Sequence, residues 1–182
     1  MDDQLIILGC KKGEEKAFRQ LVDKFAGQIM SICIRYLKDT ALAKDATQET
    51  LIAVFKSIQQ YSGSGMLGGW ISKIAVNVCL REIRTRKVFT DIDSIELGCT
   101  DHHQNHDLLE AEDILKLVNE MPETLRLVFN MSLIEGYSHL EIATLLGISE
   151  SSSRVYLLRS RSFMKEKLTH NSGKGVKILH FK

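Results

Sequence analysis

The chain is poor in proline, long apolar runs and net charge. It has one proline in 182 residues, so a helical chain would rarely be interrupted. No apolar segment approaches the roughly 20 residues that span a bilayer. The N-terminal Met-Asp-Asp-Gln also lacks the basic start of a secretory signal. We therefore expect a cytoplasmic protein with no membrane insertion.

Cysteine is sparse too, and its spacing makes a disulfide framework improbable. The four cysteines are at positions 10, 33, 79 and 99. Cys33 and Cys79 fall on apolar helical faces, where a free thiol packs as a small hydrophobe. Hydrophobic residues make up 44% of the chain and charged residues 26%, which indicates a globular protein rather than a disordered one.

Apolar residues recur every three or four positions through most of the chain, which predicts an all-α fold. The first stripe covers residues 18–36 and includes Val22. The second covers residues 46–58, includes Phe55, and follows a plausible capping residue, Asp39. The third covers residues 70–83. Gly68 and Gly69 are expected to keep the break before this stripe loose.

The periodicity predicts two small helical domains with a flexible linker. Residues 1–87 hold the three stripes and form the first domain. Residues 88–107 lose the pattern and become polar, as is typical of a linker. Residues 108–170 form the second domain. In it Pro122 suits the first turn of a helix whose apolar face includes Leu133, and the last helix is expected to end near Leu168. Residues 171–182 are read as a tail.

The second domain contains a helix-turn-helix pattern in residues 137–161. Ser138 and Glu141 have the spacing of a capping box. Gly147 allows the sharp turn, and Ile148 is expected to fill the corner beneath it. The second helix of such a motif normally enters the DNA major groove. A helical hairpin packed for stability alone is the alternative.

Basic residues are clustered at the ends of both domains, although the formal net charge is only +1. The first cluster lies in residues 81–87 and the second in residues 154–167. Each cluster alone would fit a solvated surface. Two of them, each ending a helical domain, fit a protein that contacts nucleic acid at two places.

Four segments together resemble the extracytoplasmic-function (ECF) sigma factors of bacteria, over about residues 5–168. In chain order they are Asp45-Ala-Thr-Gln-Glu-Thr, Trp70-Ile-Ser-Lys-Ile-Ala-Val-Asn, Met121-Pro-Glu-Thr-Leu-Arg-Leu-Val-Phe and the stretch from Glu135 to Ser149. The resemblance implies a subunit that binds RNA polymerase core enzyme and promoter DNA and is held inactive by an anti-sigma factor. The sequence has no phosphate-binding loop, nucleophile constellation or paired acids, so we expect neither an enzyme nor a cofactor.

The resemblance and the chemistry of the side chains together predict three sets of site residues. The polymerase-binding set is Asp45, Gln48 and Glu49. The set for the downstream promoter element is Trp70, Lys73, Asn77, Arg81 and Arg84. The set for the upstream element is Glu150, Ser151, Arg154, Val155, Leu158, Arg159 and Arg161. An arginine fork can bond guanine or phosphate, and an asparagine can read a base edge.

Alternatives remain open at several of these positions. Trp70 is either a platform for an unstacked base or an anchor in the core, and the core anchor is favoured. Some residues depart from the usual family pattern, namely Leu67, Gly68, Arg81, Ser153 and Tyr156. Either the DNA preference differs from the common type, or promoter opening is weak.

Two other functional classes and a metal site also compete. The classes are a helix-turn-helix regulator that acts without polymerase and an interaction-only decoy. A zinc site in the linker would use Cys99, His102, His103 and His106. We disfavour it because polar linkers often accumulate such residues.

Overall fold

The computed structural model describes residues 3–63, 65–90 and 111–172. Within these ranges the chain is helical apart from short connections, and it contains no strand. The contacts divide the chain into two compact units, Met1–Ile95 and Glu96–Lys182, which we call the N-terminal and C-terminal units. The prediction of an all-α protein is confirmed.

The N-terminal unit is built on one long amphipathic helix. Its helices are α1 (Asp3–Lys11), α2 (Glu15–Leu37), α3 (Thr40–Ser57), a short 3-10 turn (Ile58–Gln60) and α4 (Leu67–Thr90). Helix α2 packs against α1, α3 and α4, and α3 also packs against α4. Because the other three helices all cover α2, its apolar stripe lies at the centre of the unit.

Aliphatic side chains and two thiols fill this core. Leu21, Ile29 and Ile71 are at most 2% exposed. Cys33 on α2 and Cys79 on α4 are fully buried, as expected of small hydrophobic residues. Hydrogen bonding to the Cys33 thiol and burial raise the pKa of the Cys79 thiol. Both positions therefore serve packing.

Two residues predicted on apolar stripes lie at the surface instead. Val22 is 37% exposed and Phe55 is 55% exposed. The Phe55 ring packs against the ring of Phe18, with centroids 4.3 Å apart, at the rim of the core. The stripes are wider than the contact between the helices, so their outer residues remain accessible to solvent.

Short-range interactions set the ends of these helices. Asp39 caps α3, as predicted, because its carboxylate accepts hydrogen bonds from the amides of Ala41 and Leu42 at 2.8 and 3.1 Å. Lys38 ends α2 in a left-handed conformation. Gly9 allows α1 to cross α2 closely, since a Cβ there would lie 2.6 Å from the Cβ of Ala17.

The start of α4 corrects the expectation of a loose Gly68–Gly69 break. Helix α4 begins at Leu67 and includes both glycines in its first turn. The Gln28 side chain on α2 donates hydrogen bonds to the carbonyl of Gly68 at 3.3 Å and to the hydroxyl of Ser72 at 2.8 Å. These contacts and the burial of Leu67 offset the low helix propensity of glycine.

The C-terminal unit contains shorter helices and one irregular turn. Its elements are α5 (Ala111–Glu120), α6 (Glu123–Phe129), a π-helical turn (Asn130–Ile134), α7 (His139–Leu146) and α8 (Glu150–Ser172). Helix α8 packs against α5, α6 and α7. It ends four residues beyond the predicted Leu168.

Two details of this unit differ from the predictions. Pro122 is the N-cap of α6 rather than a residue of its first turn. Leu133 is 44% exposed, although it was predicted on the apolar face. It lies in the π-helical turn, where one extra residue per turn rotates the side chains away from α-helical positions.

Helix α7, the turn and α8 form the predicted helix-turn-helix. The Ser138 hydroxyl accepts a hydrogen bond from the Glu141 amide at 3.3 Å, and the Glu141 carboxylate accepts one from the Ser138 amide at 2.8 Å. Gly147 ends α7 with a φ of 67°, the left-handed conformation that the turn requires. Ser149 then accepts a hydrogen bond from the Ser152 amide at 3.0 Å and caps α8.

Most of the predicted linker lies outside the described residues. Helix α4 reaches Thr90, three residues into the range 88–107, and α5 is described from Ala111. The expected start of the second domain at residue 108 and the tail beyond Ser172 are also outside. Among the described residues, no helix is long and apolar enough to span a bilayer.

Candidate functional site

The five predicted downstream residues lie along one side of α4. Lys73, Asn77, Arg81 and Arg84 follow Trp70 at intervals of three or four residues, so they share a face of the helix. These four are exposed and Trp70 is half-buried. The face therefore offers three cations around one amide, a suitable chemistry for a phosphate backbone and a base edge.

The Trp70 side chain on α4 packs against the connection that precedes this helix. Its ring packs against the ring of Tyr61, with centroids 5.1 Å apart. The Tyr61 hydroxyl donates a hydrogen bond to the carbonyl of Gly65 at 2.8 Å. Trp70 thus anchors this connection, in line with the favoured interpretation, while part of its ring remains accessible.

The three predicted polymerase-binding residues lie on α3. Asp45, Gln48 and Glu49 are all exposed and fall within about one helical turn. The Glu49 carboxylate forms an ion pair with the Arg81 guanidinium on α4. This ion pair brings the polymerase set and the downstream DNA set into direct contact.

The predicted upstream residues occupy the outer side of α8. Ser151, Arg154, Val155, Leu158, Arg159 and Arg161 are exposed, and Glu150 is half-buried. Arg154 forms an ion pair with Glu150, one turn earlier. On the opposite side, Ser153, Leu157 and Ser160 are buried against the rest of the unit. The α8 face is therefore accessible for insertion into a groove.

One hydrogen bond fixes this helix relative to α7. Nδ1 of His139, the first residue of α7, lies 2.9 Å from the Ser153 hydroxyl oxygen. Ser153 is fully buried and His139 is half-buried, so the contact is partly shielded from water. The bond joins the two helices of the motif directly.

Sequence reasoning missed two side-chain pairs at these surfaces that cross between helices. The Glu49–Arg81 and His139–Ser153 pairs join residues far apart in sequence, and no local pattern indicates them. The unusual Arg81 and Ser153 were noted as departures from the family pattern. Those departures were the available signals, because each of the two residues forms one of the pairs.

The alternative metal site is not tested by the structure. Cys99, His102, His103 and His106 lie outside the described residues. Within the described ranges, no three His, Cys, Asp or Glu side chains converge as a metal site would require.

Comparison with known families matches both units. Residues 21–88 match the description "Sigma-70 region 2", and residues 111–164 match "Sigma-70, region 4". The two regions occur in order, one in each unit. The chain belongs to the sigma-70 family. It is an ECF sigma factor.

Full-length relatives are similar over nearly the whole chain. The ECF RNA polymerase sigma-E factors of Salmonella typhimurium LT2 and Escherichia coli K12 are each 25% identical to it, covering 92% of this chain and 95% of theirs. The RNA polymerase sigma-H factor of Pseudomonas aeruginosa PAO1 is 23% identical, covering 91% and 93%.

Two solved structures share the fold. The sigma factor RpoE of Bartonella quintana, in complex with the anti-sigma factor NepR, has a TM-score of 0.58 at 20% identity and covers 85% of this chain and 98% of its own. CnrH, in complex with the cytosolic domain of CnrY, has a TM-score of 0.55 at 16% identity and covers 92% and 97%.

Membership of the family establishes the function in outline. As a sigma factor, the protein binds RNA polymerase and promoter DNA and directs promoter recognition and transcription initiation. Sigma factors are initiation factors rather than enzymes.

Proposed function

We propose that this sigma factor uses three surfaces at once. Asp45, Gln48 and Glu49 on α3 dock on core polymerase. The α4 face from Trp70 to Arg84 binds the downstream promoter element, and the α8 face from Glu150 to Arg161 binds the upstream element. One observation supports the proposal most directly. The predicted residues lie on accessible faces of α3, α4 and α8, with one face on each helix.

The downstream face combines base reading with phosphate binding. The exposed Asn77 side chain has no hydrogen-bond partner among the described residues, so its donor and acceptor are available to a base edge. Lys73 and Arg84, four residues before and seven after it, bind phosphates on either side. Capture of the freed strand then offsets the few kcal/mol that unpairing costs per step.

The upstream face reads duplex DNA in the major groove. Arg159 bonds a guanine edge or a phosphate, because its guanidinium fork is exposed. Val155 and Leu158 are 44% and 66% exposed, so their methyl groups can contact thymine methyls. Arg161 contacts the phosphate backbone and positions the helix without reading sequence.

We assign these surfaces to the domains predicted from the sequence. Residues 1–87 carry the polymerase and downstream surfaces, and residues 108–170 carry the upstream surface. The protein acts in the cytoplasm, where core polymerase and promoter DNA are available.

Run-off transcription tests the proposal. Purified core polymerase and the full chain are supplied with genomic fragments from the source organism, and the start sites are mapped. We expect defined starts. Arg159→Ala should lower transcription from these starts about ten- to hundredfold, the effect of losing one bidentate base contact. Lys16→Ala, which removes an exposed charge from α2, should leave transcription unchanged.

Polymerase binding is tested separately, because it distinguishes the competing functional classes. Replacing Asp45, Gln48 and Glu49 together by alanine should weaken core polymerase binding without lowering duplex DNA affinity. A regulator that acts alone would bind DNA but not polymerase, and a decoy would bind polymerase but give no start. Either result would overturn the assignment.

We also propose that an anti-sigma protein holds the chain inactive. The two similar solved structures are both complexes, one with an anti-sigma factor and one with the cytosolic domain of CnrY. The tagged chain purified from unstressed cells should carry a stoichiometric partner that blocks run-off transcription. Full transcription by the protein isolated directly from those cells would contradict inhibition by an anti-sigma protein.

A further inference from the structure

The Glu49–Arg81 ion pair joins residues that are assigned to different partners. Glu49 belongs to the polymerase surface on α3, and Arg81 to the DNA surface on α4. Their side chains are 52% and 61% exposed, so both charges are accessible to incoming ligands. The Glu49 carboxylate is the single partner of the Arg81 guanidinium among the described residues.

While the ion pair is intact, neither side chain is fully available to bind polymerase or DNA. A guanidinium held by a carboxylate is partly neutralised and attracts a DNA phosphate less strongly. The Glu49 carboxylate is likewise less available to a basic group of polymerase. Exposed ion pairs are weak, so either partner can open this one at a cost of a few-fold in affinity.

We propose that this pair couples polymerase docking to DNA capture, an inference that rests on the proposed roles of the two surfaces. In the free protein Glu49 masks Arg81. When polymerase engages Glu49, the guanidinium is released and binds a phosphate of the downstream element. The coupling is reciprocal, so DNA that engages Arg81 also releases Glu49 for polymerase.

Binding of single-stranded DNA to the free full-length chain tests the masking. The probe is a fluorescent 15-nucleotide oligo-dT, because phosphate contacts do not depend on sequence. Glu49→Gln should raise affinity about two- to fivefold. It should also steepen the plot of log affinity against log salt by about 0.7, the value for one added single-strand phosphate contact.

A matched control separates the ion pair from general charge effects. Asp45→Asn removes the same charge one turn earlier on α3 and should have a smaller effect, because Asp45 makes no ion pair with Arg81. In an Arg81→Gln background, Glu49→Gln should no longer raise affinity. Equal effects of the two α3 variants, or a Glu49→Gln effect that persists without Arg81, would overturn the proposal.

The reciprocal experiment uses core polymerase in place of DNA. Arg81→Gln should raise affinity for core enzyme about two- to fivefold, because it releases Glu49. Arg84→Gln, which removes a cation one turn away, should not. If the wild-type chain binds polymerase and starts transcription but Arg81→Gln leaves affinity unchanged or lowers it, the coupling is refuted and the function stands. If the wild type does neither, the proposed function itself is refuted.

Discussion

The two units differ in what holds them together. Of the described residues in the N-terminal unit, Thr50 is the one buried polar side chain apart from the aromatic tyrosines, and its hydroxyl donates to the carbonyl of Ala46 at 2.7 Å. Among its own described residues, the C-terminal unit buries four such side chains, namely Arg126, Asn130, Ser153 and Ser160. Apolar packing therefore dominates the first unit, whereas specific polar contacts carry more of the second.

This difference suits the proposed roles of the units. Helices α3 and α4 both pack on the long α2, and this apolar core fixes the positions of their exposed faces relative to each other. The recognition helix α8 packs on shorter elements, and a smaller apolar core stabilises it less. Directional hydrogen bonds such as the one between His139 and Ser153 then help define where α8 lies.

The largest loss of stability should follow from a substitution in the apolar core of the N-terminal unit. Ile29 on α2 is fully buried, so Ile29→Ala should lower the free energy of unfolding by about 2–5 kcal/mol. Urea unfolding followed by the fluorescence of Trp70 measures it, because the single tryptophan lies in this unit. Val22→Ala, at a 37% exposed position on the same helix, should cost under about 1 kcal/mol. Equal losses would contradict an apolar-packed unit.

The contrast between the units also explains what the sequence could predict. Periodicity located α2 well, because a long stripe repeats the same helical face several times. It did not predict that Val22 and Phe55 would be exposed, because a repeat gives the direction of a side chain and not the width of the contact. That width depends on how neighbouring helices cross.

Local motifs were predicted well where all their atoms are close in sequence. Asp39, the Ser138–Glu141 box and Gly147 act on residues within a few positions, so the pattern contains the whole interaction. The prediction of a loose break at the start of α4 was wrong, because the stabilising hydrogen bond comes from Gln28, which lies 40 residues away from Gly68. The Glu49–Arg81 pair spans 32 residues and depends on the crossing of α3 and α4.

Removal of a helix cap should lower stability less than a substitution in the apolar core, and both units contain such caps. Ser138→Ala should lower the stability of α7 by about 0.5–2 kcal/mol, since one amide of its first turn loses its acceptor. Asp39→Ala should cost α3 a similar amount. Amide hydrogen exchange of each helix measures the loss, with Ser162→Ala on the exposed side of α8 as the control. A cost confined to Asp39→Ala would show that the C-terminal unit does not depend on its cap.

The His139–Ser153 bond should contribute a further, smaller amount. A double-mutant cycle of His139→Ala and Ser153→Ala should give a coupling energy of about 0.5–1.5 kcal/mol in urea unfolding of the C-terminal unit. The same cycle built with Ser160→Ala should be additive, because the Ser160 hydroxyl donates to the carbonyl of Leu157 instead. Additivity in both cycles would remove His139 as a link between α7 and α8.

The smallest effect should appear at alkaline pH and only in the C-terminal unit. Burial, and then the charges of Glu135 and Glu141, raise the pKa of Tyr137 to about 12. The unfolded phenol titrates near 10, so the folded state binds this proton more tightly, and its contribution is present below pH 10 and lost as the pH rises towards 12. Because Tyr137 as a whole is only half-buried, solvent screens these charges, and we expect a loss under about 1 kcal/mol.

Comparison of variants isolates this contribution from the other groups that titrate in the same range. Unfolding by urea is followed by circular dichroism between pH 9 and pH 12. Tyr137→Phe should flatten the alkaline fall in stability relative to wild type, and Tyr156→Phe on α8 should not. If both variants follow the wild-type curve, the Tyr137 phenol is as well solvated as in the unfolded chain, and the polar interior of this unit is less protected from water than its buried side chains indicate.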